Sequence, residues 1–353
     1  ASLYYCRVKA KISDYSDAVP GRPDRRTDQM SAKTLGMTLT EFSDLDPDLS
    51  ALVLHILDAC KAIAAQVRHG AFQRDRGSTN TQNIHGDTQK HLDIIANDLF
   101  TGHCRKNARV AALVSEEEHE VIWLKAPQEG DFVVCFDPLD GSSNIEVGMC
   151  VGTIFSVFRL QQALDPSNLK SALRGRDQVF AGYALYGPAT ELIVSDGKQV
   201  DGYCLDPDDG AFRLIHPDIR IEPRSKEVAI NASRRTLWPE PVTRYVDECF
   251  SPGEKGLARS NMRWTASMVA DIHRIMLRGG IFLYPQDAQS SGRLRLVYEL
   301  NPIAFLVETA GGKATDGRHD ILSLEVQDFH QRNGAVLGAR EDVEEIRRLY
   351  GDS

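Results

Sequence analysis

Asp137-Pro138-Leu139-Asp140-Gly141-Ser142-Ser143 follows the apolar run Phe132-Val133-Val134-Cys135-Phe136. The run reads as a buried strand. A strand therefore ends in two carboxylates, with Pro138 stiffening the turn between them. Two acids at a strand end suit Mg²⁺, a hard cation that takes oxygen ligands and few of them from protein. Gly141 lets the backbone approach a ligand, and N–H groups at the start of a new element attract phosphate. Metal and phosphate sites side by side point to phosphate-ester chemistry. The same five-residue pattern recurs as Asp206-Pro207-Asp208-Asp209-Gly210, but without the apolar run before it or the serines after it. There it reads as a hairpin turn, so context and not the pattern alone carries the assignment.

The 353 residues favour two domains. Apolar content of 42% and charged content of 26% are those of an ordinary globular chain. A formal charge of −9 argues against a nucleic-acid partner, which wants a basic surface. The 7 cysteines are scattered and contain no C-x-x-C, which argues against zinc and against a disulfide framework. Cys60, Cys135 and Cys150 lie in apolar segments and are expected in the core. This usage fits a reducing compartment, the cytoplasm or a plastid stroma. No apolar run approaches the roughly 18 residues of a membrane span, and no signal peptide is recognisable. No membrane partner is expected.

Outward from the central stretch, residues 1–45 read as a polar arm. A helix is expected from Asp46, its cap, through Pro47 to Gly70, with Leu52, Val53, Ile56, Cys60 and Ile63 on one face. Residues 71–84 form a polar loop, and residues 87–100 a second helix. Asp87 and Asp93 are six apart, so they do not share one narrow stripe. Val110-Ala111-Ala112-Leu113-Val114 reads as a strand ending at Ser115-Glu116-Glu117-Glu118. Those acids form either a solvated face or, if the two strands are neighbours in a sheet, part of the same site. After residue 150, strands at 153–158, 180–185, 191–194, 211–215 and 281–284 interleave with helices at 241–249, 267–277, 303–310 and 341–350. Residues 159–177 read as a helix-containing insertion. The pattern is α/β layering with mixed sheets, divided into the arm (1–45), an N-terminal α/β domain (46–220) and a C-terminal α/β domain (221–353).

Several long motifs, in order, resemble the class I fructose-1,6-bisphosphatase family, which includes sedoheptulose-1,7-bisphosphatase. They are Ser115-Glu116-Glu117, residues 136–145, Val151-Gly152-Thr153-Ile154-Phe155, residues 181–187, residues 267–274, residues 279–285 and Asn301-Pro302 through Gly311-Gly312. The resemblance covers roughly residues 25 to 350. It implies a layered α-β-α-β-α sandwich and Mg²⁺-dependent, lithium-sensitive hydrolysis of the C1 phosphate of a ketose bisphosphate, with two or more ions and Mn²⁺ as a substitute. By the resemblance, Glu116, Glu117, Asp137, the Leu139 carbonyl, Asp140 and Glu299 match metal ligands, and Asp87 completes them from a loop. Asp93 and Glu117 match the pair that activates water. Gly141, Ser142 and Ser143 match the C1-phosphate cradle. A homo-oligomer, dimer or tetramer, is also implied.

For the distal phosphate, the resemblance points to Asn231, Arg263, Tyr284 and Arg295. Arg234 and Arg293 stand where the fructose enzymes have Tyr and Lys, and Trp264 replaces another Tyr. Arg234-Arg235-Thr236, Asp177-Gln178-Val179 and Tyr186-Gly187-Pro188 resemble sedoheptulose enzymes. The expected substrate is therefore sedoheptulose-1,7-bisphosphate, with fructose-1,6-bisphosphate, or both sugars, as the alternative. By the resemblance, the switch cysteines of plastid members would fall near residues 71–76 and 160–176; this chain has none in either stretch, so no thioredoxin-type switch is expected. Asp46, Pro47, Asp48, Asp131 and Phe132 occupy the positions that bind AMP in regulated members, which argues against AMP control.

Overall fold

The computed structural model describes residues 35–39, 45–70, 91–224, 226–253 and 258–351. Helix α1 (Pro47–Gly70) begins as expected, with the Asp46 carboxylate accepting from the Asp48 N–H at 2.9 Å. It is long and apolar enough to cross a membrane by length and composition. Its apolar face, however, is spent on the core: Leu52, Val53, Ile56, Cys60 and Ile63 are fully buried. Helix α2 spans His91–Cys104.

Eight strands follow: β1 (Val110–Ser115), β2 (Ile122–Trp123), β3 (Phe132–Asp140), β4 (Val151–Arg159), β5 (Gln178–Tyr186), β6 (Thr190–Ser195), β7 (Val200–Leu205) and β8 (Phe212–His216). They form one sheet in the order β2-β1-β3-β4-β5-β6-β7-β8. Only β1 and β3 run parallel in it; the other pairs are antiparallel. The repeated Asp-Pro pattern at 206–210 is the turn joining β7 to β8, with Gly210 in the left-handed region at φ 71°. Residues 159–177 carry no α-helix, only two short 3₁₀ turns at Pro166–Ala172 and Gly175–Asp177.

The second half contributes β9 (Glu227–Ile230), α3 (Glu240–Phe250), β10 (Asn261–Met262), α4 (Met268–Arg278), β11 (Ile281–Tyr284), β12 (Leu294–Arg295), α5 (Asn301–Thr309), β13 (Lys313–Thr315), β14 (Arg332–Asn333), β15 (Ala335–Gly338) and α6 (Arg340–Gly351). Its sheet runs β10-β9-β11-β15-β13, with β9 parallel to β10 and β11 and the rest antiparallel. Strands β12 and β14 pair separately.

Three cores define the layers. On β3, Phe132, Val134 and Phe136 pack with α1 and α2, while Val133 and Cys135 face a core shared with α4 and α5. The period-2 alternation of a strand thus buries both faces. The α4/α5 core continues onto β9, β11 and β15 through Ala229, Phe282 and Leu337. Behind the second sheet, Val242, Tyr245 and Val246 of α3 and Val343 and Ile346 of α6 close the last layer. The architecture is an α-β-α-β-α sandwich with two mixed sheets. Cys60 and Cys135 are buried as expected, but Cys150 is only partly so.

Candidate active site

The two aspartates are not separated by a turn. Strand β3 continues through Asp140, and its pairing with β4 slips: Asp137 lies opposite Ile154 and Asp140 opposite Gly152. One extra residue on β3 makes this a β-bulge. In a regular strand, residues three apart point to opposite faces; the extra residue brings both carboxylates to one side. Pro138 has no N–H for the ladder and belongs at such a bulge. The Thr153 hydroxyl holds its carbonyl at 2.8 Å and meets the Tyr186 hydroxyl at 2.7 Å. Asp137 accepts from the Leu139 N–H at 2.9 Å. Leu139 itself lies in the bulge, 4% exposed.

Because β1 and β3 are parallel neighbours, with Ser115 opposite Phe136, their carboxyl ends lie side by side. The Glu116 N–H donates to the Phe136 carbonyl at 3.1 Å. One residue not anticipated from the sequence shapes this acidic turn. Asn97 of α2 accepts from the Ser115 hydroxyl at 2.7 Å and donates to Glu118 at 2.8 Å. Ser115 in turn accepts from the Glu117 N–H at 3.2 Å. Asp93, buried to 5%, stands one helical turn before Asn97 and so shares its face. That i,i+4 spacing is the one signal in the sequence that could have found Asn97.

Glu299 arrives on a wide π-type turn, Leu296–Leu300, that runs into α5. Such turns frequently occur at functional sites. Its carboxylate accepts from the Arg295 N–H. Carboxylate oxygens of Asp137, Asp140 and Glu299, all buried, lie within 4.8 Å of one another. Arg295, which the resemblance assigns to the distal phosphate, lies here beside the acids. Its side chain is 5% exposed, with Nη2 3.6 Å from Glu116; burial among acids is what fixes this cation. Asp87 lies outside the described residues.

Burial pushes Asp137 well above the ordinary carboxylate range, with Glu116, Asp140 and Glu299 adding to it. Glu299 is raised by burial, then by Glu116 and Asp140. Burial raises Asp140 to about 6, against the pull of the Val269 N–H and the Ser267 hydroxyl. So many acids in one buried volume need cations. The donor set is all oxygen, which fits Mg²⁺ or Mn²⁺ and not a soft metal.

The sign of the linkage follows from these raised values. The folded metal-free chain holds protons that the unfolded chain releases, so this stability is present below the ordinary carboxylate range. It is lost as pH rises through the raised values, Asp140 near 6 among them. Metal-free protein should therefore melt earlier at pH 8 than at pH 5, and Mg²⁺ should raise Tm more at pH 8. Equal Mg²⁺ shifts at both pH values, in a scanning fluorimetry titration, would contradict the cluster's role.

Gly141 sits at φ 75°, ψ 22°, the left-handed region, and opens the 3₁₀ turn Ser142–Val147. Asp140 accepts from the Ser267 hydroxyl at 3.1 Å and from the Val269 N–H at 2.8 Å. The start of α4 is thus joined to the bulge and to the expected cradle, Gly141, Ser142 and Ser143.

Asn231, Arg234, Tyr284 and Arg293 line one pocket, with Trp238 and Asp287 among its other walls. It lies beyond the carboxyl ends of parallel β9 and β11, where open α/β sheets bind ligands. Arg293 is linked to the acids through Arg295, whose Nη1 donates to the Arg293 carbonyl at 3.3 Å. Arg263 does not line the pocket. It is exposed, and its Nη1 donates to the Met262 carbonyl at 2.8 Å. Trp264 stacks on Phe282, with ring centroids 5.9 Å apart, and meets Tyr284 at a tilt, with centroids 5.7 Å apart.

Sequence profiles described as fructose-1-6-bisphosphatase N-terminal domain and C-terminal domain match residues 34–217 and 221–351. A class 1 fructose-1,6-bisphosphatase of Methylacidiphilum infernorum is 43% identical over 330 residues, covering 90% of this chain and 92% of that one. The enzyme of the same name from Hydrogenophilus thermoluteolus is 46% identical over 315 residues, covering 86% and 87%. The crystal structure of Leishmania major fructose-1,6-bisphosphatase in holo form superposes with a TM-score of 0.83 at 36% identity, covering 91% of this chain and all of that one.

Proposed function

Because the chain belongs to the fructose-1,6-bisphosphatase family, a family of sugar-bisphosphate phosphatases, we propose that it hydrolyses the C1 phosphate of fructose-1,6-bisphosphate to give fructose-6-phosphate. The observation that carries this reading is the convergence of Asp137, Asp140 and Glu299, linked through Arg295 to the pocket of Arg234 and Arg293. The seven-carbon substrate expected from the sequence loses its support. The relatives it matches are named for the six-carbon sugar. Three of the residues behind that expectation have structural partners away from the pocket. Arg235 pairs with Asp247 on the surface. Gln178 donates to the Gly175 and Asn301 carbonyls, and Tyr186 supports Thr153. Side-by-side steady-state rates on the two bisphosphates with saturating Mg²⁺ test the choice. A higher kcat/KM on the seven-carbon sugar would overturn it.

Mg²⁺ bound by Asp137, Asp140, Glu299, Glu116, Glu117, the Leu139 carbonyl and Asp87 would neutralise phosphate charge and make water nucleophilic. Asp93 and Glu117 take the proton from the attacking water. Gly141, Ser142 and Ser143 hold the C1 phosphate, while Asn231, Arg234, Tyr284 and Arg293 hold the distal one. Arg263, exposed on this chain, serves the pocket of a neighbouring copy in a homo-oligomer. The boundary near residue 220 separates a half that carries all the proposed metal ligands except Glu299 from a half that carries Glu299 and the distal-phosphate residues. Compartments that keep thiols reduced, the cytoplasm or a plastid stroma, suit the chain, whose six described cysteines are free thiols.

Arg293→Ala should raise KM for the bisphosphate about tenfold, the size of a lost charged hydrogen bond. Its kcat should change little, since the distal phosphate binds alike in ground and transition states. An unchanged KM would remove Arg293 from the pocket.

AMP should not inhibit. Asp46 already accepts from the N–H groups of Asp48 and Leu49 at the start of α1. It pairs with Arg159, and Arg109 bridges Asp48 and buried Asp131 at 3.4 and 3.3 Å. Lys125 also goes to Asp131, at 2.9 Å. Arg109, Lys125 and Arg159 are thus paired with the chain's own acids, and a phosphate would meet carboxylates. Cooperative inhibition in an AMP titration would contradict this.

A further inference from the structure

We propose that Asp287 is a positioning residue of the distal-phosphate pocket, holding the Arg234 guanidinium in the attitude that grips phosphate. The proposal rests on the reading of that pocket given above. Strands β9 and β11 are parallel neighbours, Ile230 lying opposite Leu283, and the segments that leave their carboxyl ends form facing walls. One wall is a 3₁₀ turn, Ala232–Leu237, which carries Arg234. Its cap is Asn231, whose side-chain oxygen accepts from the Ser233 N–H at 3.1 Å and the Ser233 hydroxyl at 2.6 Å. The other wall carries Asp287.

Asp287 Oδ2 accepts from Arg234 Nε at 2.8 Å and also from Nη2. Its other oxygen accepts from the Gln289 N–H at 2.9 Å. The Asp287 and Ser290 peptide groups bond reciprocally at 3.0 and 3.2 Å. The carboxylate is therefore anchored on its own turn before it meets the arginine. The side chains of Asp287 and Arg234 are 6% and 18% exposed, so water competes poorly for the pair. The Nε/Nη2 edge is taken, and among the described residues no carboxylate holds Nη1. A planar guanidinium fixed along one edge has a defined direction for its remaining N–H groups. Ordering that long side chain in advance removes a penalty that binding would otherwise carry.

Charge alone predicts the opposite sign. Asp287 is an acid on the wall of a pocket for a dianion, and simple repulsion says that removing it tightens binding. The positioning reading says that removal loosens binding, so the direction of one measured change separates the two.

Asp287→Ala and Asp287→Asn should be compared with the unaltered protein in fructose-1,6-bisphosphate hydrolysis at saturating Mg²⁺. Calorimetric affinity for fructose-6-phosphate, which carries the distal phosphate alone, completes the test. Asp287→Ala should raise KM up to about tenfold and weaken the monophosphate similarly, the cost of ordering one long side chain on binding. Its kcat should move by less than about threefold. Asp287→Asn, which keeps one acceptor oxygen and the side-chain shape, should fall between. It carries the test if the alanine variant, with its unpaired arginine, melts early. In an Arg234→Ala background, Asp287→Ala should leave KM unmoved or lower it. An unchanged or lowered KM for Asp287→Ala with Arg234 intact overturns the proposal. So does an unchanged KM for Arg234→Ala, which also removes the pocket assignment. A wild-type protein inert toward the bisphosphate would instead overturn the proposed function, and monophosphate binding would still decide whether Asp287 positions Arg234.

Discussion

Asp140→Asn is expected to lower kcat by about a hundredfold or more while leaving the protein folded. Asp140 is 7% exposed and held by Ser267 and Val269. An asparagine has the same shape, and its amide oxygen still accepts both bonds. What it loses is the charge that a cation needs and the second oxygen that can serve as a ligand. The same change should stabilise the metal-free protein at pH 8, because Asp140 adds to the charge repulsion on Asp137 and Glu299. Activity lost with stability gained is the signature of a site that holds its charges for function. Steady-state rates and metal-free melting curves check both halves. Turnover near that of the wild type, or turnover that persists in chelator, would remove Asp140 and its neighbours from the chemistry.

Gly141→Ala should be nearly as damaging, by a different route. At φ 75° a side chain costs about 1–2 kcal/mol of backbone strain. A Cβ here would also stand 2.7 Å from the Ser267 hydroxyl oxygen and 2.8 Å from its Cβ. Ser267 must then move, and with it the start of α4 that holds Asp140. A loss of activity on the order of a hundredfold is expected, since small displacements of positioned groups carry effects of that size. Gly148→Ala provides the control. Gly148 has φ 69°, also left-handed, but its added Cβ would meet nothing within 4 Å. It should show the strain as a lowered Tm and keep its turnover. Equal loss of activity in both variants would mean that backbone strain alone is responsible and that Ser267 has no part.

How much is legible in the sequence varies with the separation of the residues involved. The cap and first turn of α1 are readable because Asp46, Pro47 and the apolar stripe act within a few residues. The two aspartates are readable as a site because an apolar run precedes them and a glycine follows. Their mutual geometry is not. Local chemistry makes Asp-Pro a turn, whereas Pro138 marks a bulge whose existence depends on pairing with β4. The membership of Glu116 stays open in the sequence, because an acidic run after a strand is solvated unless a parallel neighbour brings other acids beside it. The pairing of Ser115 with Phe136 supplies that neighbour.

The sequence by itself determined the layered α/β class, the order of the elements and the residue types of the site. These depend on local periodicity, on caps and turns, and on motifs long enough to identify a family. Only the tertiary structure decided which charges are partners. Asp140 meets Ser267 and Val269 across 127 and 129 residues. Arg295 turns to Glu116, and Arg234 turns to Asp287, 53 residues away. Arg234 and Arg295 look equivalent in the sequence because a guanidinium carries no information about its partner. The partner is chosen by strand order and by burial, and burial makes an unpaired charge too costly to leave alone.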